Sequence, residues 1–416
     1  MSPRKVILAL ALASYLLSLV DSAHAQEDML TVERAVALAL ARDAELASFR
    51  SEVDASKARV SGASLPFQQN PQLGGEIGPR WRDGGMLLDY SVELSQEVEI
   101  FGQRRARIEV ARAGRRLAEA QVDAWRAELA AKVRQAFARA LAAEQLLALE
   151  RENLEVARWT TRASAKRLEV GEGTRIELNT ARVEEGRAAR AVSVATRAHE
   201  DAIAAIRLLL ALEPDRVVRL DGDLRTASAA VPGTGALEER ALATRADLRA
   251  AKRAADAASA EKLFAERDLR PRPRVGVRGE REEGDNVLLG TLQLDLPTFN
   301  RNQAARGVAS AGLVQAEVSL QATERRVKQE VALASLRLQA AQASAQSFEG
   351  EVVTAMQENL SLINTAYEAG KIDLFELLLV RRDTLQAKRE HIEALEEVRA
   401  AEAELARALG LDRGAL

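Results

Sequence analysis

The spacing of hydrophobic and polar residues changes several times along this chain, and each change marks an element. Over residues 88–100 the two kinds alternate. Leu88, Tyr90, Val92, Leu94, Val98 and Ile100 fall on one side, and Asp89, Ser91, Glu93, Ser95, Glu97 and Glu99 on the other. Gln96 is the one polar residue on the apolar side. A period of two is that of a β-strand. The pattern returns as Leu288, Leu292, Leu294 and Leu296 against Thr291, Gln293 and Asp295. Each of these strands follows a polar turn, Arg82-Asp83-Gly84-Gly85 or Glu282-Glu283-Gly284-Asp285-Asn286, and therefore reads as the second arm of a β-hairpin.

Beyond each hairpin the apolar spacing lengthens to three and four, as at Val327, Val331, Leu333, Leu336 and Leu338. Residues 103–170 and 302–369 predict two helices of about 68 residues, about 100 Å each at 1.5 Å per residue. Uncapped patterns of that length indicate coiled coil. Both end at glycine turns, Gly171-Glu172-Gly173 and Gly370-Lys371, from which an antiparallel helix returns toward Leu212 or Leu411. A shorter helix precedes each hairpin, over 31–64 and 236–268, stopped by Asn70-Pro71 and by Pro271-Arg272-Pro273. None of the nine prolines falls within 80–213 or 298–416. Interior proline costs about 3 kcal/mol, so its absence permits long helices there.

The order of elements is the same twice. Phe101-Gly102-Gln103 through Gly114 matches Phe299-Asn300-Arg301 through Gly312 at an offset of 198, and Gly171, Glu177, Leu178 and Arg182 match Gly370, Glu376, Leu377 and Arg381 at 199. One duplicated unit explains both offsets. The expected organisation is a first repeat over 26–213 (hairpin about 71–100, helical hairpin about 103–213), a connector over 214–235, and a second repeat over 236–416 (hairpin about 273–297, helical hairpin about 302–411).

At the N-terminus, Arg4 and Lys5 precede an apolar run, Val6 to Val20, and Ala23-His24-Ala25 offers a signal-peptidase site. The run is too short to span a bilayer and suits a secretory signal cleaved after Ala25. No later stretch reads as a transmembrane helix, so any membrane insertion falls to a β-barrel. Charged residues on one strand face and leucines on the other suit a wall between a watery lumen and lipid. The alternative is a half-buried sheet on a soluble domain. Four strands per chain leave open edges, which lipid does not tolerate, whereas three chains would supply twelve. The absence of cysteine excludes disulfides, thiolate metal sites and an N-terminal lipid anchor. A net charge of −3 gives no basic surface for nucleic acid. Aromatics at 3% suit close-packed Ala/Leu helices better than a large globular core.

The strand-to-helix junctions and the two glycine turns followed by Glu-Leu resemble the TolC-like outer-membrane efflux proteins over essentially the whole mature chain. Leu220-Asp221-Gly222-Asp223-Leu224, Arg245-Ala246-Asp247-Leu248 and 296–303 (LPTFNRNQ) are similar to its cobalt–zinc–cadmium (CzcC-type) branch. The resemblance implies a mainly α chain with a small membrane β part. It implies a homotrimer forming a 12-stranded barrel in the outer membrane over an α-helical periplasmic tunnel, with a wet, mostly acidic wall. Its partners would be a periplasmic adaptor and an inner-membrane resistance–nodulation–division pump, and its cargo divalent metal ions. The same fold also serves drug efflux or type I protein secretion, and a soluble coiled-coil adaptor or scaffold is the reading from another class.

Carried over from the family, Tyr367 corresponds to a tyrosine that bonds an acid after the first turn, here Glu177, to hold a gate shut. Glu376 corresponds to one acid of a constricting ring. Ile372 and Leu379 depart from the pattern, standing where an arginine and a second acid are expected. Adaptor docking would use Gly171, Glu172, Gly173, Thr174, Gly370, Lys371, Ile372 and Asp373. No cofactor is expected. No metal ligands are expected either, since His199 and His391 do not correspond in the duplication. Phosphate-binding loops and hydrolase or zinc-protease motifs are missing, which argues against an enzyme.

Overall fold

The computed structural model describes residues 29–225, 232–282, 285–348 and 351–411. The expected signal peptide, the centre of the second hairpin turn (283–284) and part of the connector (226–231) lie outside the described residues. The chain forms two compact units, each drawing on both repeats. One comprises Met1–Asp43, Leu129–Ala229 and Leu338–Ala403; the other comprises Ala44–Glu128, Ala230–Arg337 and Glu404–Leu416.

The second unit carries the sheet. Strands β1 (Gln72–Arg82), β2 (Gly85–Glu97), β3 (Arg274–Glu282) and β4 (Asp285–Gln293) form one antiparallel sheet in sequence order. The β2–β3 pairing, from Tyr90↔Arg281 to Glu97↔Arg274, joins the hairpins of the two repeats. The register puts Leu73, Leu94 and Val277 in one row and Ile77 beside Tyr90. These side chains are open to the surroundings: Leu73 and Ile77 are each 75% exposed, Trp81 76%, Leu94 56% and Leu288 77%. On the opposite face Asp89, Ser91 and Glu93 are half-buried and Ser95 is buried. This is the reverse of a soluble half-buried sheet, whose leucines face inward.

The strands lead into α-helices through a shared device. In each repeat a residue of positive φ, Gly102 (+87°) or Asn302 (+53°), precedes a glutamine whose Oε1 accepts from the backbone N–H two residues earlier. Gln103 accepts from Phe101 at 2.9 Å and Gln303 from Arg301 at 2.7 Å. These equivalences correct the sequence alignment here, because they match Gly102 to Asn302 and not to Asn300. Alanine-rich helices score similarly in neighbouring registers, whereas the cap fixes the register.

The first long helix, α3 (Gln103–Glu169), is continuous. The helix expected before each hairpin is broken once. The first becomes α1 (Val32–Arg42) and α2 (Ala44–Ala63), and its counterpart becomes α5 (Thr234–Thr244) and α6 (Ala246–Arg267). Asp43 (ψ 123°) and Arg245 (ψ 128°) are extended at the breaks. Arg245 is almost wholly buried and bonds Asp247 at 2.6 Å and Glu330 at 2.7 Å. Burial works against its charge, but the hydrogen bonds and charges of Asp247 and Glu330 outweigh it and hold the guanidinium above its ordinary range. Burial likewise pushes Asp247 up, and Arg245 more than reverses that, leaving the carboxyl below its usual range.

The second long helix is also interrupted, contrary to expectation, into α7 (Gln303–Gln346) and α8 (Glu351–Glu368). At the end of α7 the Ser347 N–H is shared between the carbonyls of Ala343 and Ser344, each at 3.2 Å, and its Oγ donates to Ser344 O at 2.6 Å. That side-chain bond competes with the helical ladder. The returning helices are α4 (Arg175–Leu209) and α9 (Leu374–Ala408). In the first unit Leu30 and Leu220 form a parallel bridge, and Arg399 grips the carbonyls of Asp223 (2.6 Å), Leu224 (3.1 Å) and Arg225 (3.1 Å), fixing the connector. Its core mixes alanines such as Ala140, Ala142 and Ala181, which let helix backbones approach closely, with larger side chains such as Phe137, Ile206 and Leu224.

Helices α4 and α9 end in equivalent left-handed caps, but on different residues. Gly410 (φ +66°) ends α9, and Ala211 (φ +47°) ends α4. In both, the next N–H reaches back to close the last turn: Leu411 to Ala406 O and Leu212 to Arg207 O, each at 2.9 Å. A Cβ on Gly410 would lie 2.9 Å from Arg245 Cα, so the position excludes alanine twice over. Gly410→Ala is expected to cost about 2 kcal/mol or more, and Ala211→Gly to be neutral or stabilising by up to about 1 kcal/mol. Thermal melting of the detergent-solubilised protein, followed by circular dichroism, checks both signs.

Candidate functional site

The first unit holds the two glycine turns and the residues around them. At the end of α3, Gly171 (φ +83°) lets the Glu172 N–H bond Arg167 O at 2.9 Å; at the end of α8, Gly370 (φ +66°) lets the Lys371 N–H bond Ala366 O at 2.9 Å. Both are Schellman turns, in which the left-handed residue satisfies carbonyls the helix leaves over. The turn after Gly171 is tight at Gly173 as well, where a Cβ would sit 3.0 Å from Leu168 N. The following helices are capped by side chains. Thr174 and Glu177 form a reciprocal capping box on α4, with Thr174 N–H donating to Glu177 Oε2 at 2.9 Å and Glu177 N–H to Thr174 Oγ1 at 3.2 Å. Asp373 Oδ1 accepts from Glu376 N–H at 2.8 Å on α9. Glu376 itself is exposed beside Phe375 (56%) and Leu379 (51%).

Tyr367, on the last turn of α8, is buried among Ala181, Leu374 and Leu377, with Trp159 and Ile372 packed against that group. Its hydroxyl lies 3.1 Å from Ser164 Oγ, its ring meets Trp159 edge-on at 6.3 Å, and the Arg167 guanidinium stands 5.2 Å from its centroid. The described hydroxyl contact is therefore with Ser164 on α3, while Glu177 is engaged in its own cap. One to two turns away, Arg381 is 8% exposed and donates to Thr160 Oγ1 at 3.0 Å, with Asn153 Oδ1 at 3.5 Å. Burial pulls this guanidinium below the usual arginine range, offset in part by the charge of Glu184. Further along the same helix pair, Arg389 meets the buried Glu150 at 2.6 Å. Together these contacts form a polar seam between α3 and the α8–α9 pair.

Sequence reasoning did not single out Ser164, Trp159 or Thr160, which carry no motif of their own. Arg381 served there only as a repeat landmark, yet it is buried while its counterpart Arg182 is exposed.

In the second unit the polar face of the sheet differs from the acidic wall the sequence suggested, because arginines face the acids. Arg80 Nε meets Asp89 at 2.6 Å and Arg80 Nη2 meets Glu282 at 2.8 Å; Arg278 meets Glu93 at 2.7 Å. Glu97 lies 3.6 Å from Arg272 and 3.8 Å from Arg274. Among the described residues no group of three or more His, Cys, Asp or Glu is placed to hold a metal ion, and no helix is long and apolar enough to cross a membrane.

The chain is 24% identical over 390 residues to the cobalt-zinc-cadmium resistance protein CzcC of Cupriavidus metallidurans, covering 92% of this chain and 90% of that one. The fold matches a solved structure of CusC with a TM-score of 0.73, at 19% identity over 91% of this chain and 92% of that one. It matches the open-state outer membrane channel MtrE of Neisseria gonorrhoeae with a TM-score of 0.74, at 22% identity over 91% and 89%. The sequence profile of one family covers both repeats, at residues 35–212 and 237–411. The chain thus belongs to the outer membrane efflux protein family.

Proposed function

We propose that three copies of this chain assemble into a twelve-stranded barrel in the outer membrane, continued by a helical duct in the periplasm. In this reading the duct is the exit of a tripartite pump and exports divalent heavy-metal cations. The observation that carries the channel reading is the inverted sheet, with Leu73, Ile77, Trp81 and Leu288 outward and the charged residues on the sheltered face. Exposed leucines are favourable only against an apolar medium, and a polar face is wetted only by a lumen. Edge strands β1 and β4 leave backbone groups that a neighbouring copy would pair. The likeness to CzcC supports the metal cargo.

The pump partners would be a periplasmic adaptor and an inner-membrane pump of the resistance–nodulation–division class. The adaptor would meet the turns at Gly171, Glu172, Gly173, Thr174, Gly370, Lys371, Ile372 and Asp373, which the Schellman turns and caps hold in shape. Tyr367 would latch the closed end by fixing α8 to α3 through Ser164, with Glu177 stiffening the first turn. Glu376, exposed on α9, would present three carboxylates around a threefold axis and draw cations toward the constriction.

Two measurements test this reading. Growth of a deletion strain across zinc, cobalt, cadmium, nickel and copper salts, beside a panel of hydrophobic drugs, is expected to show sensitivity confined to metals and restored by the intact gene. Drug sensitivity with normal metal tolerance would contradict the metal cargo while keeping the channel. At the latch, Tyr367→Phe keeps the ring and removes only the Ser164 bond. A bond worth about 1 kcal/mol predicts a roughly fivefold shift toward the open state per subunit in planar bilayers. Unchanged open probability would exclude Tyr367 as a latch.

A further inference from the structure

The three β2 carboxylates on the sheet's polar face, Asp89, Glu93 and Glu97, are already occupied. Asp89, Glu93 and Glu97 stand four residues apart on β2, so they share one face at intervals of about 13 Å. Each meets an arginine reaching across from a neighbouring strand or its approach. Glu93 is directly opposite Arg278 in the register, and Glu97 directly opposite Arg274. Asp89 is opposite Gly78 in the register, and Arg80, two residues along β1, reaches it at 2.6 Å. Glu93 shows the fullest engagement. Its Oε2 accepts from Arg278 Nη2 at 2.7 Å and Nε at 3.0 Å, and its Oε1 accepts from the Thr291 hydroxyl at 3.1 Å. A metal ion would need those same lone pairs, at about 2.0–2.2 Å for zinc. The arginine nitrogens hold them instead, with a positive charge where the ion would sit. Both repeats contribute, since β2 supplies the acids and β1 and β3 the arginines.

We propose that Arg80, Arg274 and Arg278 are specificity-determining residues of the duct. They keep the acids of β2 from binding the divalent cations that pass them. This deepens the reading above and rests on the polar face lining the lumen and on a divalent cargo. A conduit has to attract an ion and also release it. Unpaired, the acids of β2 repeated around a trimer would place free carboxylates on all sides of one lumen. Paired, these acids keep the wall polar and hydrated while their inner-sphere ligands are withheld.

The test is conductance of the purified full-length protein in planar bilayers under a potassium chloride gradient, with and without millimolar zinc chloride. The wild type is expected to be weakly cation-selective, with whatever zinc response the Glu376 ring gives as the baseline against which the variants are read. Arg278→Gln frees Glu93, so the potassium-to-chloride permeability ratio should rise roughly twofold or more and zinc should cut the current by about half beyond that baseline. Adding Glu93→Gln to that variant should abolish the added zinc effect, and Arg278→Lys should behave as wild type. An Arg278→Gln channel of unchanged selectivity and baseline zinc response would overturn the proposal, as would added zinc block that persists in the double variant. Arg80→Gln reads the same effect at Asp89 should Arg278→Gln fail to assemble. A wild-type protein that stays in the soluble fraction and does not insert into lipid vesicles would overturn the channel reading itself, an outcome distinct from either.

Discussion

A β-sheet that turns its leucines outward and its ion pairs to the sheltered side is favourable in only one setting. Burying a leucine or isoleucine side chain is worth about 1.5–3 kcal/mol, and here a row of them lies open to the surroundings. Water on that face would forfeit this at each position. Lipid removes the penalty, but it imposes another, because every backbone donor and acceptor at membrane depth then needs a protein partner. Within the chain the β1–β2, β2–β3 and β3–β4 ladders meet that demand for the inner strands. The demand left at β1 and β4 is what drives assembly in the proposed barrel.

The helical part obeys a different rule. Alanine is the commonest residue of its interior, so much of the close packing comes from small side chains in non-directional contact. Against that background the polar seam between α3 and the α8–α9 pair stands out. Tyr367 with Ser164, Arg381 with Thr160, and Arg389 with Glu150 are directional contacts in an otherwise non-directional interface. Directional bonds specify one register and are lost together when the helices shift. That is the behaviour the proposed latch requires.

The sequence makes the sheet legible because period two, unlike packing, is written locally: the face of Leu88, Tyr90, Val92 and Leu94 can be read from spacing alone. It does not reveal that Asp89, Glu93 and Glu97 are paired with arginines. Their partners lie nine, 185 and 177 positions away, and only the register brings them together. The glycine turns are legible at Gly171 and Gly370, where positive φ needs that residue, but the equivalent cap at Ala211 carries no such signal. The breaks at Asp43 and Arg245 are silent for a similar reason, since neither residue is a helix breaker and tertiary contacts, such as the buried Arg245 pairs, set the bend. At the second glycine turn, resemblance points to Tyr367. Its partner Ser164 is one small hydroxyl in a long helix, and nothing in the sequence distinguishes it.

Because the chain has no cysteine, single engineered thiols report position without a background. The most direct test places a nitroxide at Leu88→Cys, Val92→Cys and Leu94→Cys, and in turn at Ser91→Cys and Ser95→Cys, in protein reconstituted into lipid vesicles. Collision rates with oxygen, which concentrates in lipid, are compared with those of a water-soluble nickel chelate. The account predicts alternation, with high oxygen and low nickel accessibility at 88, 92 and 94 and the reverse at 91 and 95. High nickel accessibility at 88, 92 and 94 would place the leucine face in water and contradict it.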